Sequence, residues 1–156
     1  MKICGIICEF NPFHNGHKHL LEKAKEASGC DYLVCLMSGD FTQRGEIAIA
    51  EKYVRAKHAV MNGADCVLEL PTAFAVSPAE IFAAGAIKIL SSIPDVTSIA
   101  FGVENDDKAA LCSAANILTT ESDKFKTVLN RCLNDGKSYI TSFNTAFEAV
   151  GGNAEI

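Results

Sequence analysis

Four short apolar runs, separated by amphipathic segments, set the pattern of this chain. The runs predict strands at residues 2–9, 31–38, 65–70 and 97–101. The segments between them predict helices at about 17–28, 49–62 and 78–91. Strands that are apolar on both faces are typical of parallel sheets covered by helices. The pattern therefore predicts an α/β fold, a Rossmann-like doubly wound parallel sheet of strand order 3-2-1-4.

The rest of the chain has a helical pattern, with predicted helices at about 108–118, 122–134 and 139–150. The sequence leaves open whether this region adds a fifth strand to the sheet. Gly151 and Gly152 end the last helix, so we treat residues 1–150 as one domain and residues 151–156 as a tail.

Helix faces and helix starts can also be predicted from the spacing. The expected buried positions are Ile49, Tyr53, Ala56 and Val60 in the second helix, Ile81, Phe82, Gly85 and Ile89 in the third, and Ile140, Phe143, Phe147 and Val150 in the last. Glu51 and Arg55 have the spacing of an i,i+4 ion pair. Ser77 and Glu80 have the spacing of a capping box that starts the third helix.

The composition is that of an ordinary globular protein, since 49% of the 156 residues are apolar and 21% are charged. The formal net charge of −5 argues against strong nucleic-acid binding by these residues alone, because contacts to phosphate groups need a basic surface. No apolar run reaches the length of a membrane span, and the first one is too short for a signal peptide. We therefore expect a cytoplasmic protein without a membrane partner.

The seven cysteines form no C-x-x-C pair. Four of them lie in predicted strands, namely Cys4, Cys8, Cys35 and Cys66. We expect these to be buried free thiols in a reducing compartment. A zinc site made by Cys8, His14 and His17 is the less favoured alternative, and we expect no resident metal.

A polar turn, residues 11–17, joins the first predicted strand to the first predicted helix. Such a turn directs unpaired backbone N–H groups and the positive end of the helix at one place, which suits a phosphate group. His14 and His17 have the spacing of two residues on one helix face. Gly16 lies between them, and its missing side chain lets a ligand approach the backbone. His14-Asn15-Gly16-His17 has the H-x-G-H signature of the nucleotidyltransferase superfamily, whose reaction releases pyrophosphate after attack on the α-phosphate of a nucleoside triphosphate. Loop histidines without a chemical role are the alternative.

A second polar loop follows the second predicted strand, at the edge of the sheet where open α/β folds bind ligands. Its candidate substrate-binding residues are Ser38, Asp40, Gln43 and Arg44. Arg44 is suited to a bidentate clamp on a phosphate or a carboxylate. A solvated loop turned by its two glycines is the alternative.

Two further positions lie near the carboxyl ends of predicted strands. Glu69 either lines the floor of the site or pairs with Arg44 or Arg55, and both interpretations stay open. Gly102 follows the fourth strand, which lies beside the first in the predicted order. We expect Gly102 to face the His14 loop across a bound nucleotide, because its missing side chain leaves room for a base or a ribose.

With these motifs in place, the chain resembles the N-terminal domain of the tRNA(Met) cytidine acetate ligases, a bacterial family of H-x-G-H enzymes. The matching segments are residues 9–17, 37–46, 65–71, 79–83 and 101–105. The resemblance covers most of residues 1–150, and it implies a Rossmann-like fold of the HUP nucleotidyltransferase type.

The resemblance also implies an ATP site. Its residues would be Ile7, Cys8, Glu9, Phe10, Asn11, Pro12, Phe13, His14, Asn15, Gly16, His17, Lys18, His19, Leu20 and Gly102. His14 and His17 would be the catalytic residues, because they would stabilise the pentavalent phosphate and the departing pyrophosphate. Lys18 and Arg44 are weaker candidates for assisting them.

The implied reaction is the activation of acetate by ATP to acetyl-adenylate, followed by acetyl transfer to the wobble cytidine of elongator tRNA(Met). Family members continue well past residue 156, with further ATP contacts and a basic tRNA-binding surface. We therefore expect a truncated form that retains partial ATP binding and lacks efficient tRNA modification, since tRNA(Met) would bind through the absent C-terminal part. A requirement for Mg²⁺ and the oligomeric state both stay open.

Two other functions fit the same residues. One is a nucleotidyltransferase that adenylates a small phosphorylated metabolite. The other is a non-catalytic module that binds a nucleotide without turnover.

Overall fold

The computed structural model describes residues 1–103 and 107–152, and these form two compact units that divide after Gly102. The elements of the first unit are β1 (Ile3–Cys8), α1 (Asn15–Ser28), β2 (Tyr32–Ser38), α2 (Lys52–Met61), β3 (Cys66–Leu70), α3 (Thr72–Ala75), α4 (Ala79–Ser92) and β4 (Val96–Ala100). The second unit contains α5 (Lys108–Thr120), α6 (Asp123–Asn134) and α7 (Tyr139–Ala149). Glu104 and Asn105 of the last matching segment, and residues 153–156 of the predicted tail, lie outside the described residues.

The four strands form one parallel sheet of order β3-β2-β1-β4, which confirms the predicted topology. In the register of the two central strands, Cys8 lies opposite Met37, so β1 and β2 end together. The loops that follow them therefore emerge side by side at one edge of the sheet. Residues 1–103 and 107–152 contain no fifth strand.

The central strands are buried on both faces, as their apolar runs predicted. Leu33, Cys35 and Met37 of β2 belong to one core with α1 and α2, whereas Val34 and Leu36 belong to a second core with α3 and α4. This alternation is the two-residue period of a strand. Helices on both sides leave the carboxyl edge of the sheet as the open end of the unit.

The buried face predicted for the second helix is wrong at three of its four positions, and only Ala56 packs against the core. Ile49, Tyr53 and Val60 are 77%, 75% and 50% exposed, whereas Arg55 and Ala59 are fully buried. The predicted ion pair between Glu51 and Arg55 is also wrong, because the guanidinium donates to backbone carbonyls instead. A prediction from hydrophobic spacing assigns every arginine to the solvent-exposed face of a helix. Because Arg55 is buried, the prediction chose the wrong face of α2.

The start of α4 differs from the predicted capping box. Pro78 precedes the helix without a side-chain cap, and the Ser77 hydroxyl donates to the carbonyl of Ala73 at 2.7 Å. The cause is α3, a short helix that was not predicted from the sequence. Ser77 lies just after α3, and its backbone N–H donates to the carbonyl of Phe74 in that helix. Within α4, Ile81 is half exposed, while Gly85, Ala86 and Leu90 are buried.

The second unit has its own small core, formed by Phe125, Ala146 and Phe147. Phe143 packs against this core, as its predicted stripe requires. Ile140, the first position of the same stripe, is 71% exposed because it lies in the first turn of α7.

The seven cysteines are all free thiols. Cys4 and Cys35 are buried and Cys8 is partly buried, in line with the prediction. Cys66 is exposed, so its predicted burial is wrong. Its strand, β3, lies at the edge of the sheet and is less covered than β1 and β2.

Candidate functional site

The H-x-G-H turn is built on a buried aromatic residue. Phe10 has a φ of 48°, in the left-handed region that a residue with a side chain rarely adopts. Its ring is 1% exposed and contacts the rings of Phe13 and His17, with centroids 5.0 and 4.9 Å away. Burial of this ring offsets a backbone cost of about 1 kcal/mol. It also fixes where the chain leaves the sheet, and the turn contains a cis peptide bond between Asn11 and Pro12.

His14 and His17 form a reciprocal cap at the start of α1. His14 is the N-cap residue, and its Nδ1 accepts a hydrogen bond from Gly16 N–H at 3.1 Å. Nδ1 of His17 accepts from His14 N–H at 3.3 Å. The two rings stack with centroids 3.7 Å apart and planes 23° apart. The prediction that the two histidines share a face is confirmed, although the helix begins two residues earlier than predicted.

This cap determines what each imidazole offers to a ligand. A nitrogen that accepts a hydrogen bond carries no proton, so a neutral ring must carry its proton on Nε2. Partial burial, and to a lesser extent the nearby His14, lower the pKa of His17 from its usual 6.5. His17 is therefore neutral at pH 7 and presents an Nε2–H donor.

A cavity of about 590 Å³ opens beside the two imidazoles. Its lining residues are Ile7, Cys8, Glu9, Phe10, Asn11, His14, His17, Thr42, Arg44, Glu46 and Phe82. The N–H group of Asn15, the first residue of α1, has no hydrogen-bond partner among the described residues. Two imidazole donors and a free N–H group at a helix start are suited to binding a phosphate group.

Cys8, at the end of β1, supplies a thiol to the wall of this cavity. Burial and a hydrogen bond to the Cys35 thiol raise the pKa of Cys8 well above its usual value. The thiol is therefore protonated at neutral pH and is a poor nucleophile.

Arg55 ties the ends of the two central strands together. It is 1% exposed, and its guanidinium donates to the carbonyls of Glu9 at 2.6 Å, Ser38 at 3.3 Å and Ala50 at 2.9 Å. It also donates to the carbonyl of Gly39. One buried side chain thus fixes the H-x-G-H turn relative to the loop after β2.

The loop after β2 folds into a short hairpin, residues 41–47, which we call the 41–47 hairpin. Phe41 and Ile47 form an antiparallel bridge, and Thr42 N–H donates to the carbonyl of Glu46 at 2.8 Å. The Glu9 carboxylate accepts from Gln43 N–H at 2.6 Å. The hairpin is therefore fastened to the first residue after β1, and this contact brings two separately predicted motifs to one cavity.

The predicted ATP-binding residues divide into two groups. Those lining the cavity are Ile7, Cys8, Glu9, Phe10, Asn11, His14 and His17. Outside it, Pro12, Asn15, Gly16 and His19 are exposed, Phe13 and Leu20 pack against the core, and Lys18 lies 3.9 Å from Glu22. Gly102 lies two residues beyond β4 with open space around its Cα. The role of these residues in binding ATP stays a prediction.

Among the predicted substrate-loop residues, Arg44 alone lines the cavity. Ser38 is fully buried, and Asp40 accepts a hydrogen bond from Lys52 N–H at 3.3 Å. Glu69 pairs with Lys52 at 2.8 Å, so neither Arg44 nor Arg55 is its partner. Ser38, Lys52 and Glu69 line a separate cavity of about 80 Å³.

Sequence reasoning missed three residues that line the main cavity, Thr42, Glu46 and Phe82, and it missed the role of Arg55. Thr42 and Glu46 lie in the same loop as Arg44, and a period of two along that loop would have indicated them. Phe82 was predicted only as a buried residue of its helix, although it lies in the matching segment 79–83, and it comes from α4 on the other side of the sheet.

Residues 1–103 and 107–152 contain no group of three or more His, Cys, Asp or Glu side chains that could hold a metal ion. They also contain no helix that is both long enough and apolar enough to cross a membrane.

The HIGH Nucleotidyl Transferase family matches residues 1–155, and the chain belongs to this family of enzymes.

Within that family, the chain is similar to proteins named tRNA(Met) cytidine acetate ligase. It is 47% identical over 148 residues to the one from Acetivibrio thermocellus, covering 95% of this chain and 36% of the relative. It is 45% identical over 148 residues to the one from Clostridium acetobutylicum, covering 95% of this chain and 37% of the relative. The chain thus spans a little over a third of the length of these curated relatives.

A solved structure shows the same fold. The crystal structure of Thermotoga maritima TmcAL bound with alpha-thio ATP superposes with a TM-score of 0.90 at 40% sequence identity. The match covers 99% of this chain and 38% of the other.

Proposed function

We propose that this chain carries the adenylating site of a tRNA(Met) cytidine acetate ligase. The observation that carries the proposal is the stacked pair of His14 and His17, whose Nδ1 atoms are both occupied by backbone N–H groups beside a 590 Å³ cavity. Support comes from the names of the relatives and from the alpha-thio ATP bound to the similar Thermotoga maritima protein.

The first step of the proposed reaction joins acetate to AMP. A carboxylate oxygen of acetate attacks the α-phosphorus of ATP, the bond from phosphorus to the bridging oxygen breaks, and pyrophosphate leaves with the electron pair. The Nε2–H donors of His14 and His17 stabilise the charge that develops on the phosphate oxygens. No protein nucleophile is needed, which is consistent with the protonated thiol of Cys8.

In the second step, the exocyclic amine of the wobble cytidine in tRNA(Met) attacks the acetyl carbonyl carbon, and the bond from that carbon to the phosphate oxygen breaks. AMP leaves with the electron pair, and the amine loses one proton to solvent.

Acetate-dependent exchange of labelled pyrophosphate into ATP tests the first step. The wild-type chain should catalyse exchange only when acetate is present. His14→Ala and His17→Ala should reduce it by about 100-fold or more, as expected for loss of a transition-state donor. His58→Ala is the matched control, because His58 is exposed on α2 and does not line the cavity.

Two outcomes of the exchange experiment would contradict the proposal. Exchange that depends on a phosphorylated acceptor instead of acetate would favour an adenylyltransferase for a small metabolite. ATP binding without exchange would favour a non-catalytic module. Mass spectrometry of bulk tRNA after incubation with ATP and acetate tests the second step, and absence of acetylcytidine would restrict this chain to adenylation.

A further inference from the structure

The side chains of the 41–47 hairpin alternate between the cavity and the body of the protein. Thr42, Arg44 and Glu46 line the cavity. Between them, Gln43 is turned away, since its backbone N–H donates to Glu9 and its side-chain amide donates to the carbonyl of Ser77 at 3.0 Å. The hairpin is therefore anchored through one set of positions and presents the other set to the cavity.

The side chains that the hairpin presents to the cavity have no hydrogen-bond or ion-pair partner among the residues that the structure describes. The guanidinium of Arg44 and the carboxylate of Glu46 make no hydrogen bond or ion pair with any described residue, although Lys52 and Glu69 nearby are paired at 2.8 Å. Thr42 is 5% exposed, and its hydroxyl also has no partner among the described residues. A buried hydroxyl without a partner is uncommon in native structures, and ligand-binding sites are one place where it occurs. An unpaired cation, an unpaired anion and this hydroxyl in one cavity wall indicate a ligand with both acceptors and donors.

The size and lining of the cavity indicate what kind of ligand this is. A volume of 590 Å³ lies within the roughly 300–1,000 Å³ of pockets for drug-sized ligands. Under the proposed function the same cavity also receives the reacting phosphates of ATP beside His14 and His17, so the ligand of Arg44 and Glu46 lies next to them. Phe82 adds an aromatic side chain to the lining, and proteins commonly stack unpaired RNA bases on such rings.

We propose that Arg44 and Glu46 recognise the Watson–Crick edge of the acceptor cytosine, with the base against Phe82. The Glu46 carboxylate accepts from the exocyclic amine, and the Arg44 guanidinium donates to ring N3 and carbonyl O2. Uracil has a carbonyl in place of the amine and an N–H at N3, so it places an acceptor against Glu46 and a donor against Arg44. This inference rests on the proposed function, because it assigns the nucleoside subsite of the same reaction.

The test compares cytidine 5′-monophosphate with uridine 5′-monophosphate on the 156-residue chain. Each is titrated, with the shifts of backbone amide resonances as the readout, in the presence of a saturating non-hydrolysable ATP analogue. The chain should bind the cytidine nucleotide about tenfold more tightly, the discrimination typical of one well-made pair of hydrogen bonds to a base edge. Glu46→Gln should bring the ratio close to one, because an amide can donate to uracil as readily as it accepts from cytosine. Glu51→Gln is the matched control, since Glu51 is exposed and lies outside the cavity.

Several results would overturn the inference. These are equal affinity for the two nucleotides, undetectable binding of both, an unchanged ratio in Glu46→Gln, or displacement of the ATP analogue by the cytidine nucleotide. An Arg44→Ala variant that loses the ATP analogue instead of the cytidine nucleotide would also overturn it, because Arg44 would then bind the triphosphate. Acetate-dependent exchange without discrimination between the two nucleotides contradicts only this inference, whereas discrimination without exchange contradicts only the proposed function.

Discussion

The guanidinium of Arg55 donates a 2.6 Å hydrogen bond to the backbone carbonyl of Glu9, one residue beyond the end of β1. The same buried group also binds the carbonyls of Ser38 and Gly39 at the end of β2. No carboxylate pairs with it among the described residues, so its charge is stabilised by carbonyl dipoles alone. Arg55 therefore helps to fix the distance between the H-x-G-H turn and the 41–47 hairpin, together with the hydrogen bonds that Gln43 N–H donates to Glu9 and Ile49 N–H donates to Asn11.

Replacement of Arg55 should be among the most destabilising changes in this unit. Arg55→Met leaves the buried carbonyls without donors, and we expect the free energy of unfolding to fall by about 3–5 kcal/mol. Arg55→Lys should recover only part of this loss, because a single ammonium cannot reach carbonyls in four directions. Urea denaturation followed by circular dichroism measures both. Lys57→Met, at an exposed position of the same helix, should stay within about 0.5 kcal/mol of wild type, and equal stability of the Arg55 and Lys57 variants would contradict this role.

The Glu9 carboxylate should control the order of the 41–47 hairpin. Glu9→Ala removes the acceptor of Gln43 N–H, so we expect faster hydrogen exchange of that amide and a loss of about 1 kcal/mol in stability. Glu9→Gln keeps an acceptor oxygen and should retain most of the protection. Hydrogen exchange resolved by residue separates the two variants, and unchanged protection of Gln43 in Glu9→Ala would show that the hairpin is held by other contacts.

Gly16 is needed because the His14 ring lies against it. A Cβ at this position would lie 3.0 Å from Cε1 and 3.1 Å from Nδ1 of His14, closer than such atoms normally approach. Gly16→Ala should therefore displace the ring and weaken binding of an ATP analogue by roughly tenfold. Thermal stability should not fall with it, because alanine favours a helix by about 1 kcal/mol over glycine. Calorimetric titration and a melting curve measure the two effects, and parallel losses of affinity and stability would indicate general damage instead.

The cap on α1 should weaken in acid. Protonation of His17 places a hydrogen on Nδ1 and ends its hydrogen bond from His14 N–H. Because the pKa of His17 in the folded chain lies below the 6.5 of the unfolded chain, the unfolded state binds more protons at low pH. The contribution of His17 to stability is therefore complete above pH 6.5 and is lost as the pH falls through the lowered pKa. The stability difference between wild type and His17→Gln should shrink over this range, and a difference independent of pH would contradict the cap.

The strands and the H-x-G-H turn could be predicted from the sequence because both have strong local signals, and the strand order followed from the doubly wound topology expected for such strands. Continuous apolar runs indicate buried parallel strands, and a histidine pair flanking a glycine at a helix start is typical of a phosphate-binding turn. The start of the first helix was predicted two residues too late, at His17 instead of Asn15. The N-cap residue is His14, and histidine is not one of the residue types that usually cap a helix, so the sequence contains no clear start signal.

The support of the site could not be predicted, because it depends on contacts that are distant in sequence. Arg55 lies 46 residues from Glu9, and no pattern distinguishes a buried arginine from one on a solvated helix face. Glu69 illustrates the same difficulty, since its partner is Lys52 and not either of the arginines considered. Both assignments require knowing that β1, β2 and β3 end side by side.

The most direct test of the central claim is a long-range ¹H–¹⁵N spectrum of the histidine side chains at pH 7.5, before and after addition of a non-hydrolysable ATP analogue. We predict that His14 and His17 are both Nε2–H tautomers, and that their Nε2 resonances shift on binding while those of His58 do not. Nδ1–H tautomers in the free chain, or a bound analogue that leaves both imidazoles unchanged, would contradict the assignment of these histidines to the triphosphate.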